Sequence, residues 1–244
     1  MAVIKIENLR KDYKDVRAVD GISLEIGEGE LFSLLGVNGA GKTTTVKMLA
    51  TLTEPTGGDA WIFGHSIRDG KNEIREIADI SMQETAVARK LTVGENIDFY
   101  AKLSGLDAKH REERKKFVSD VFGLDQVKNK QTQKLSGGWQ RKLSIALALV
   151  SQPKVLFLDE PTLGLDVISR RELWKTISSL KGKITIILTT HYMEEAEALS
   201  DRIGVMKDGA LLFVGTKEEM FAFTVKTNVE EAFVHIVSGG EYSA

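Results

Sequence analysis

The sequence has no cysteine. Disulfides and thiolate metal sites are therefore excluded, and nothing in the chain calls for an oxidising compartment. Neither sign of charge is in large excess: 33 Lys and Arg stand against 35 Asp and Glu, a formal net charge of −2. A surface so balanced carries no electrostatic footprint for nucleic acid. The start, Met1-Ala2-Val3-Ile4-Lys5-Ile6, does not read as a signal peptide, because no basic region precedes a long apolar core. Long apolar runs are missing as well. The stretch 143–150 is among the longest and falls far short of a membrane span. The chain reads as soluble by itself, so work at a membrane would require docking to something else. Aromatics make up only 7%, and Tyr13 is the only one in the first thirty residues.

What is present begins with bulk. The chain has 244 residues, 42% of them hydrophobic, which suits one large globular domain with a substantial core. The most informative stretch is Gly36-Val37-Asn38-Gly39-Ala40-Gly41-Lys42-Thr43-Thr44, the pattern G-x-x-x-x-G-K-[ST] of a phosphate-binding loop. The apolar run Leu31-Phe32-Ser33-Leu34-Leu35 before it predicts a buried strand, and 45–50 after it predicts a helix. Glycines let such a loop curl until backbone N–H groups point at phosphate oxygens. The helix turns its positive end toward the same anion. Lys42 would reach the β- and γ-phosphates, and the Thr43 hydroxyl would sit on Mg²⁺.

Around this loop the pattern alternates between strand and helix. Residues 3–8 and 21–26 predict strands, with Tyr13 in a polar loop between them. Residues 58–64 predict a strand, 74–78 a short helical turn, and 79–83 a strand ending on Gln83. From 91 to about 150 strand signals vanish. Thr92 and Glu95 are spaced as a capping box, and Ile97, Tyr100 and Leu103 recur at helical spacing. The charge run 109–116 is the solvated face of a helix whose apolar side includes Phe117, Val118, Val121 and Phe122. The run 134–142 opens another helix, and Leu173, Trp174, Ile177 and Leu180 mark an apolar helix face further on. Strand 184–190 ends on His191, Lys207-Asp208-Gly209 marks a hairpin, and 229–237 predicts a short last helix.

The run Val155-Leu156-Phe157-Leu158-Asp159-Glu160 places two acids at the end of a buried parallel strand. Alone this could be a salt-bridged strand end. Downstream of a phosphate loop, Asp159 is what is needed to hold Mg²⁺, and Glu160 is positioned to polarise an attacking water. With Leu135-Ser136-Gly137-Gly138 added, the chain resembles the nucleotide-binding subunit of ATP-binding cassette (ABC) transporters over about residues 4–215. That resemblance implies an α/β fold: a P-loop NTPase core with a mixed sheet flanked by helices, an N-terminal antiparallel β subdomain, and an inserted α-helical subdomain. The whole chain, 1–244, would be one ATPase domain, with about 86–152 as the helical subdomain and about 217–244 as a short helical tail.

The resemblance also implies roles. Tyr13 matches the aromatic that stacks on adenine. Asn38, Gly39, Ala40, Gly41, Lys42, Thr43 and Thr44 match the phosphate loop. Gln83 matches the glutamine that contacts Mg²⁺ or the attacking water and senses the membrane partner. Asp159 matches the Mg²⁺-directed acid, Glu160 the catalytic base, and His191 the histidine that touches the γ-phosphate. Ser136, Gly137 and Gly138 match the segment that caps the ATP of a second subunit, and Asp166 the loop that crosses to it. Two ATP with Mg²⁺ would thus be sandwiched between two head-to-tail subunits, most simply identical, which power an integral-membrane permease from the cytoplasmic face. His65, His110 and His235 match nothing. At the fifth signature position, usually glutamine or a similar polar residue, stands Trp139, expected to pack within the helical subdomain. The segments 37–40 and 190–196 look like the branch that powers exporters of drugs, antibiotics, lipids or sodium. An importer ATPase and a non-transport ABC ATPase of translation or DNA repair stay open beside it. A small-molecule kinase would leave Ser136-Gly137-Gly138 and His191 without a job.

Overall fold

Three strands without a single exposed residue form the middle of the molecule. In the computed structural model, which describes residues 1–240, they are β3 (Leu31–Gly36), β7 (Val155–Asp159) and β8 (Thr185–Thr190). Their continuous apolar runs are what a sheet covered on both faces requires. In chain order the elements are β1 (Ala2–Tyr13), β2 (Val16–Gly27), β3, α1 (Lys42–Leu49), β4 (Gly57–Ile62), β5 (His65–Ser66), α2 (Lys71–Ile77), β6 (Ala78–Ser81), α3 (Val93–Leu103), α4 (Ala108–Phe122), α5 (Gly137–Val150), β7, α6 (Val167–Ser178), β8, α7 (Met193–Leu199), β9 (Arg202–Lys207), β10 (Ala210–Gly215), α8 (Lys217–Thr224) and α9 (Val229–Val237). One sheet runs β10-β9-β3-β8-β7-β6, parallel throughout except for the β9–β10 hairpin. The second is antiparallel in the order β2-β1-β4-β5. The fold is thus the expected α/β P-loop core with a mixed sheet and an antiparallel β portion.

Strand alternation sorts the side chains into two layers. Leu31, Leu156, Leu158, Ile186 and Leu188 face α3, α4, α5 and α6, where they meet Ile97, Val118, Leu143 and Leu173. Phe32, Leu34, Phe157 and Ile187 face the other way, onto Val46 and Met48 of α1 and the apolar side of the antiparallel sheet. Trp139 is half-buried against the first layer, with the Lys142 ammonium 4.7 Å from its ring centroid. The tail packs Phe233 and Met220 against Ile203 and Val205 of β9.

Several expectations change. Tyr13 closes β1 rather than lying in a loop, and it pairs with Val16 across a two-residue turn at Lys14-Asp15. Register shifts between Ile6 and Leu9, and again up to Asp12, break the alternation that would have revealed a strand this long. The helix after the loop starts at Lys42, because Gly41 caps it. β6 ends at Ser81, so Gln83 stands beyond the strand. Leu103 is exposed at the end of α3, and Phe223 is exposed on α8, where its ring centroid lies 5.7 Å from that of Phe213. Of the expected tail, 241–244 lie outside the described residues.

Candidate functional site

The order β3-β8-β7 brings the C-terminal ends of three buried strands side by side. Open α/β sheets bind ligands outside these ends. The loop after β3, the acids ending β7 and the histidine after β8 meet there. Asn38, Gly39, Ala40, Gly41, Lys42, Thr43, Thr44, Gln83, Glu160, Leu163 and His191 line one cavity of about 330 Å³.

The loop is shaped by glycines in left-handed conformations. Gly39 has φ 85° and Gly41 φ 103°, and a Cβ on Gly41 would lie 2.3 Å from the Ala18 carbonyl oxygen. Gly41 stands at the N-cap of α1, which has no side-chain cap and no acid in its first turn. Its leading N–H groups and positive end are therefore uncompensated within the chain. α5, starting at Ser136, is the other helix here with neither cap nor first-turn acid. Among the described residues every other α-helix has one or the other. Thr92, Asp107, Asp166, Thr216 and Asn228 cap α3, α4, α6, α8 and α9, while α2 and α7 have glutamates in their first turns.

Lys42 is buried, 5% exposed. Its ammonium donates to the carbonyls of Gly36 at 2.8 Å and Val37 at 3.2 Å and lies 3.4 Å from Glu160 Oε1. Glu160 Oε2 lies 2.8 Å from His191 Nδ1. With Glu160 ionised, Nδ1 must carry the proton, which leaves Nε2 as the acceptor. Glu160 has φ 48°, a left-handed conformation uncommon for a residue with a Cβ. It is held by its N–H, which donates to the Thr189 carbonyl and hydroxyl, each at 3.1 Å. Strain kept in place by its surroundings clusters at functional sites.

Asp159 is buried and accepts from the Thr43 hydroxyl at 2.8 and 3.1 Å and from the Thr189 hydroxyl at 2.6 Å. This donor set fits Mg²⁺: one hydroxyl and one carboxylate side by side, with Gln83 on the same cavity wall. Among the described residues there is no cluster of three His, Cys, Asp or Glu that could hold a metal alone. An ion completed by phosphate oxygens and water needs no such cluster.

The remaining predicted residues stand apart from the cavity. Tyr13 is exposed, with Lys11 Nζ 4.9 Å from its ring centroid. Ser136 and Gly137 are exposed at the start of α5 and do not line it. Asp166 caps α6, accepting from the N–H groups of Ile168 and Ser169 at 3.0 Å and from the Ser169 hydroxyl at 2.7 Å. The Ser169 N–H and hydroxyl hold its carboxyl below the ordinary value.

Sequence reasoning missed Arg141 on α5. Its guanidinium donates to the carbonyls of Pro161 at 2.7 Å and Asp159 at 2.8 Å, and to those of Met82 and Gln83. One side chain thus ties the helix after Ser136-Gly137-Gly138 to both the acid-bearing strand end and the Gln83 loop. Burial lowers its pKa to about 10, against the opposing pull of Asp159, Glu195 and Glu160. The one signal available was a charge on a helix otherwise buried nearly all round. No helix among the described residues is long and apolar enough to cross a membrane.

The family described as ABC transporter matches residues 19–163. Human phospholipid-transporting ATPase ABCA3 is 44% identical over 220 residues, 88% of this chain and 13% of that protein. The daunorubicin/doxorubicin resistance ATP-binding protein DrrA of Streptomyces peucetius is 39% identical over 218 residues, 89% of this chain and 66% of that one. The chain therefore spans only part of the length of these relatives. An ATP-binding cassette solved as a dimer in a post-hydrolysis state with ADP and Pi matches with a TM-score of 0.78 at 26% identity. That match covers 87% of this chain and 98% of the other.

Proposed function

The chain belongs to the ABC transporter family, and from this premise we propose that it is an ATPase that hydrolyses ATP to drive a membrane exporter. The observation that carries the reading is Glu160, fixed between Lys42 and His191 at the mouth of the glycine loop. In this reading 1–244 is one ATPase domain with a helical subdomain at about 86–152 and a helical tail at about 217–244. Asn38, Gly39, Ala40, Gly41 and Thr44 offer backbone and side-chain donors to the phosphates, and Lys42 neutralises charge on the transferred group. Tyr13 stacks on adenine. Thr43, Asp159 and Gln83 would hold Mg²⁺, whose chemistry is to offset charge on the β- and γ-oxygens. Glu160 takes the proton of the attacking water, and His191 orients that carboxylate beside the γ-phosphate.

Ser136, Gly137 and Gly138 then complete the site of a second copy across a head-to-tail dimer, with Asp166 in the loop that crosses between them. Support comes from their position away from the chain's own cavity and from the uncapped start of α5. ATP drives closure because it binds the closed pair better than the open one. The dimer would dock on an integral-membrane permease at the cytoplasmic face. The export reading draws on the phospholipid and drug-resistance relatives.

The test is Glu160→Gln. ATP binding is expected to persist, turnover to fall by on the order of 10²–10⁴-fold, and an ATP-dependent dimer to accumulate in light scattering. A variant that turns over at the normal rate would rule out Glu160 as the base. Recovery of the native protein on ribosomes or DNA, in place of a membrane subunit, would overturn the transport reading.

A further inference from the structure

Glu195 is fully buried in the first turn of α7. Its Oε1 accepts two hydrogen bonds, from the Thr162 hydroxyl and from the Trp174 indole N–H, each at 2.9 Å. Its Oε2 is buried with no hydrogen-bond partner among the described residues. A carboxyl so placed is costly to ionise, and burial pushes its pKa up while the hydroxyls of Thr190 and Thr162 and the Trp174 indole pull it back. An apolar residue would fill the space at lower cost, so the packing of α7 alone does not account for Glu195.

Its partners account for it. Thr162 follows Glu160 by two residues, in the turn that leaves β7. Trp174 lies on α6, the helix that Asp166 caps. α7 itself begins two residues after His191. One carboxyl oxygen therefore joins the three segments that present Glu160, Asp166 and His191.

We propose that Glu195 is a positioning residue, which pins α7 to the 160–166 turn and to α6 so that His191 stays in register with Glu160. The pin also couples movement of the 162–166 loop to His191. A second subunit pressing on that loop would be sensed at the histidine. This rests on the ATPase reading above.

Glu195→Ala, Glu195→Gln and Thr162→Val in the full chain test it, by steady-state ATPase, binding of a fluorescent ATP analogue and thermal melting. Glu195→Ala should lower kcat by on the order of 10²-fold, the scale of a small misplacement of a reacting group. Its nucleotide Kd should stay within about twofold of wild type, because the loss is one of transition-state geometry. Glu195→Gln, whose amide oxygen accepts the same two hydrogen bonds, should recover most of the rate. Thr162→Val keeps the shape of Thr162 and should lower kcat as well, and combined with Glu195→Ala it should add nothing further. Equal activity of Glu195→Ala and wild type would overturn the proposal. So would equal inactivity of the Ala and Gln variants with folding intact, or a loss confined to nucleotide affinity. If Glu195→Ala fails to fold, a wild-type rate in Thr162→Val overturns it. A wild-type chain that binds ATP and never hydrolyses it would overturn the ATPase reading itself.

Discussion

Arg141 shows how much of the site depends on a residue that does not line its cavity. Its guanidinium is itself buried and satisfies the carbonyls of Asp159, Pro161 and Met82. Arg141→Met strands them, and each unsatisfied buried group costs about 1–3 kcal/mol. Urea unfolding should show that loss, and kcat should fall with it, since the Asp159 carbonyl immediately precedes Glu160. Unfolding free energy unchanged within about 0.5 kcal/mol, the scatter of surface substitutions, would refute the assignment. At Gly41 the constraint is steric. Gly41→Ala drives a Cβ toward the Ala18 carbonyl at φ 103° and should abolish nucleotide binding in a fluorescence titration. Lys42, Thr43 and Glu160 were legible in the sequence because their neighbours declare them. Arg141 and Glu195 were not, because the chemistry lies across the fold: Arg141 and Met82 are 59 positions apart, Thr162 and Glu195 33.

At the scale of elements, α3 was readable from its first turn. Thr92 accepts from the Glu95 N–H, and Glu95 accepts back from the Thr92 N–H. Thr92→Ala should cost about 1 kcal/mol in unfolding free energy, measured by denaturant titration. What no spacing rule disclosed is how α3 and α4 are joined. Asp98 on α3 meets Lys102 at 2.6 Å and Lys115 of α4 at 2.8 Å. Hydrogen bonds from these two lysines hold its carboxyl down at about 2. A lowered native pKa means the unfolded chain takes up the proton first. The stabilisation is therefore complete above the ordinary carboxylate value near 4 and disappears as pH falls toward about 2. Asp98→Asn should flatten the decline of urea midpoints across that window. Identical acid limbs in the two proteins would show that the cluster contributes nothing. β1 was legible only in its first half, because bulges hide the rest of its period.

At the scale of the whole molecule, the proposed dimer turns on what one chain would leave unfinished. A Cβ on Gly137 would find only Leu165 Cδ2, at 4.0 Å, so its own chain has room for a side chain there. Gly137→Asp should therefore fold and bind nucleotide normally, yet fail to dimerise with ATP, because a carboxylate would face the partner's phosphates. Mixed with Lys42→Ala, it should regain part of the hydrolysis, since a hybrid pair contains one site with both wild-type halves. No recovery on mixing would argue against a shared site. The two bare helix starts, at Gly41 and at Ser136, also have a thermodynamic consequence. Any ligand that binds only the native state raises the melting temperature by mass action. In the dimer proposed above, ATP reaches the first start in a lone chain, but it reaches the second only where two chains meet. Melting in saturating nucleotide should then depend on protein concentration, while melting without nucleotide should not. In that dimer a thermal denaturation curve taken with nucleotide would also be an association isotherm.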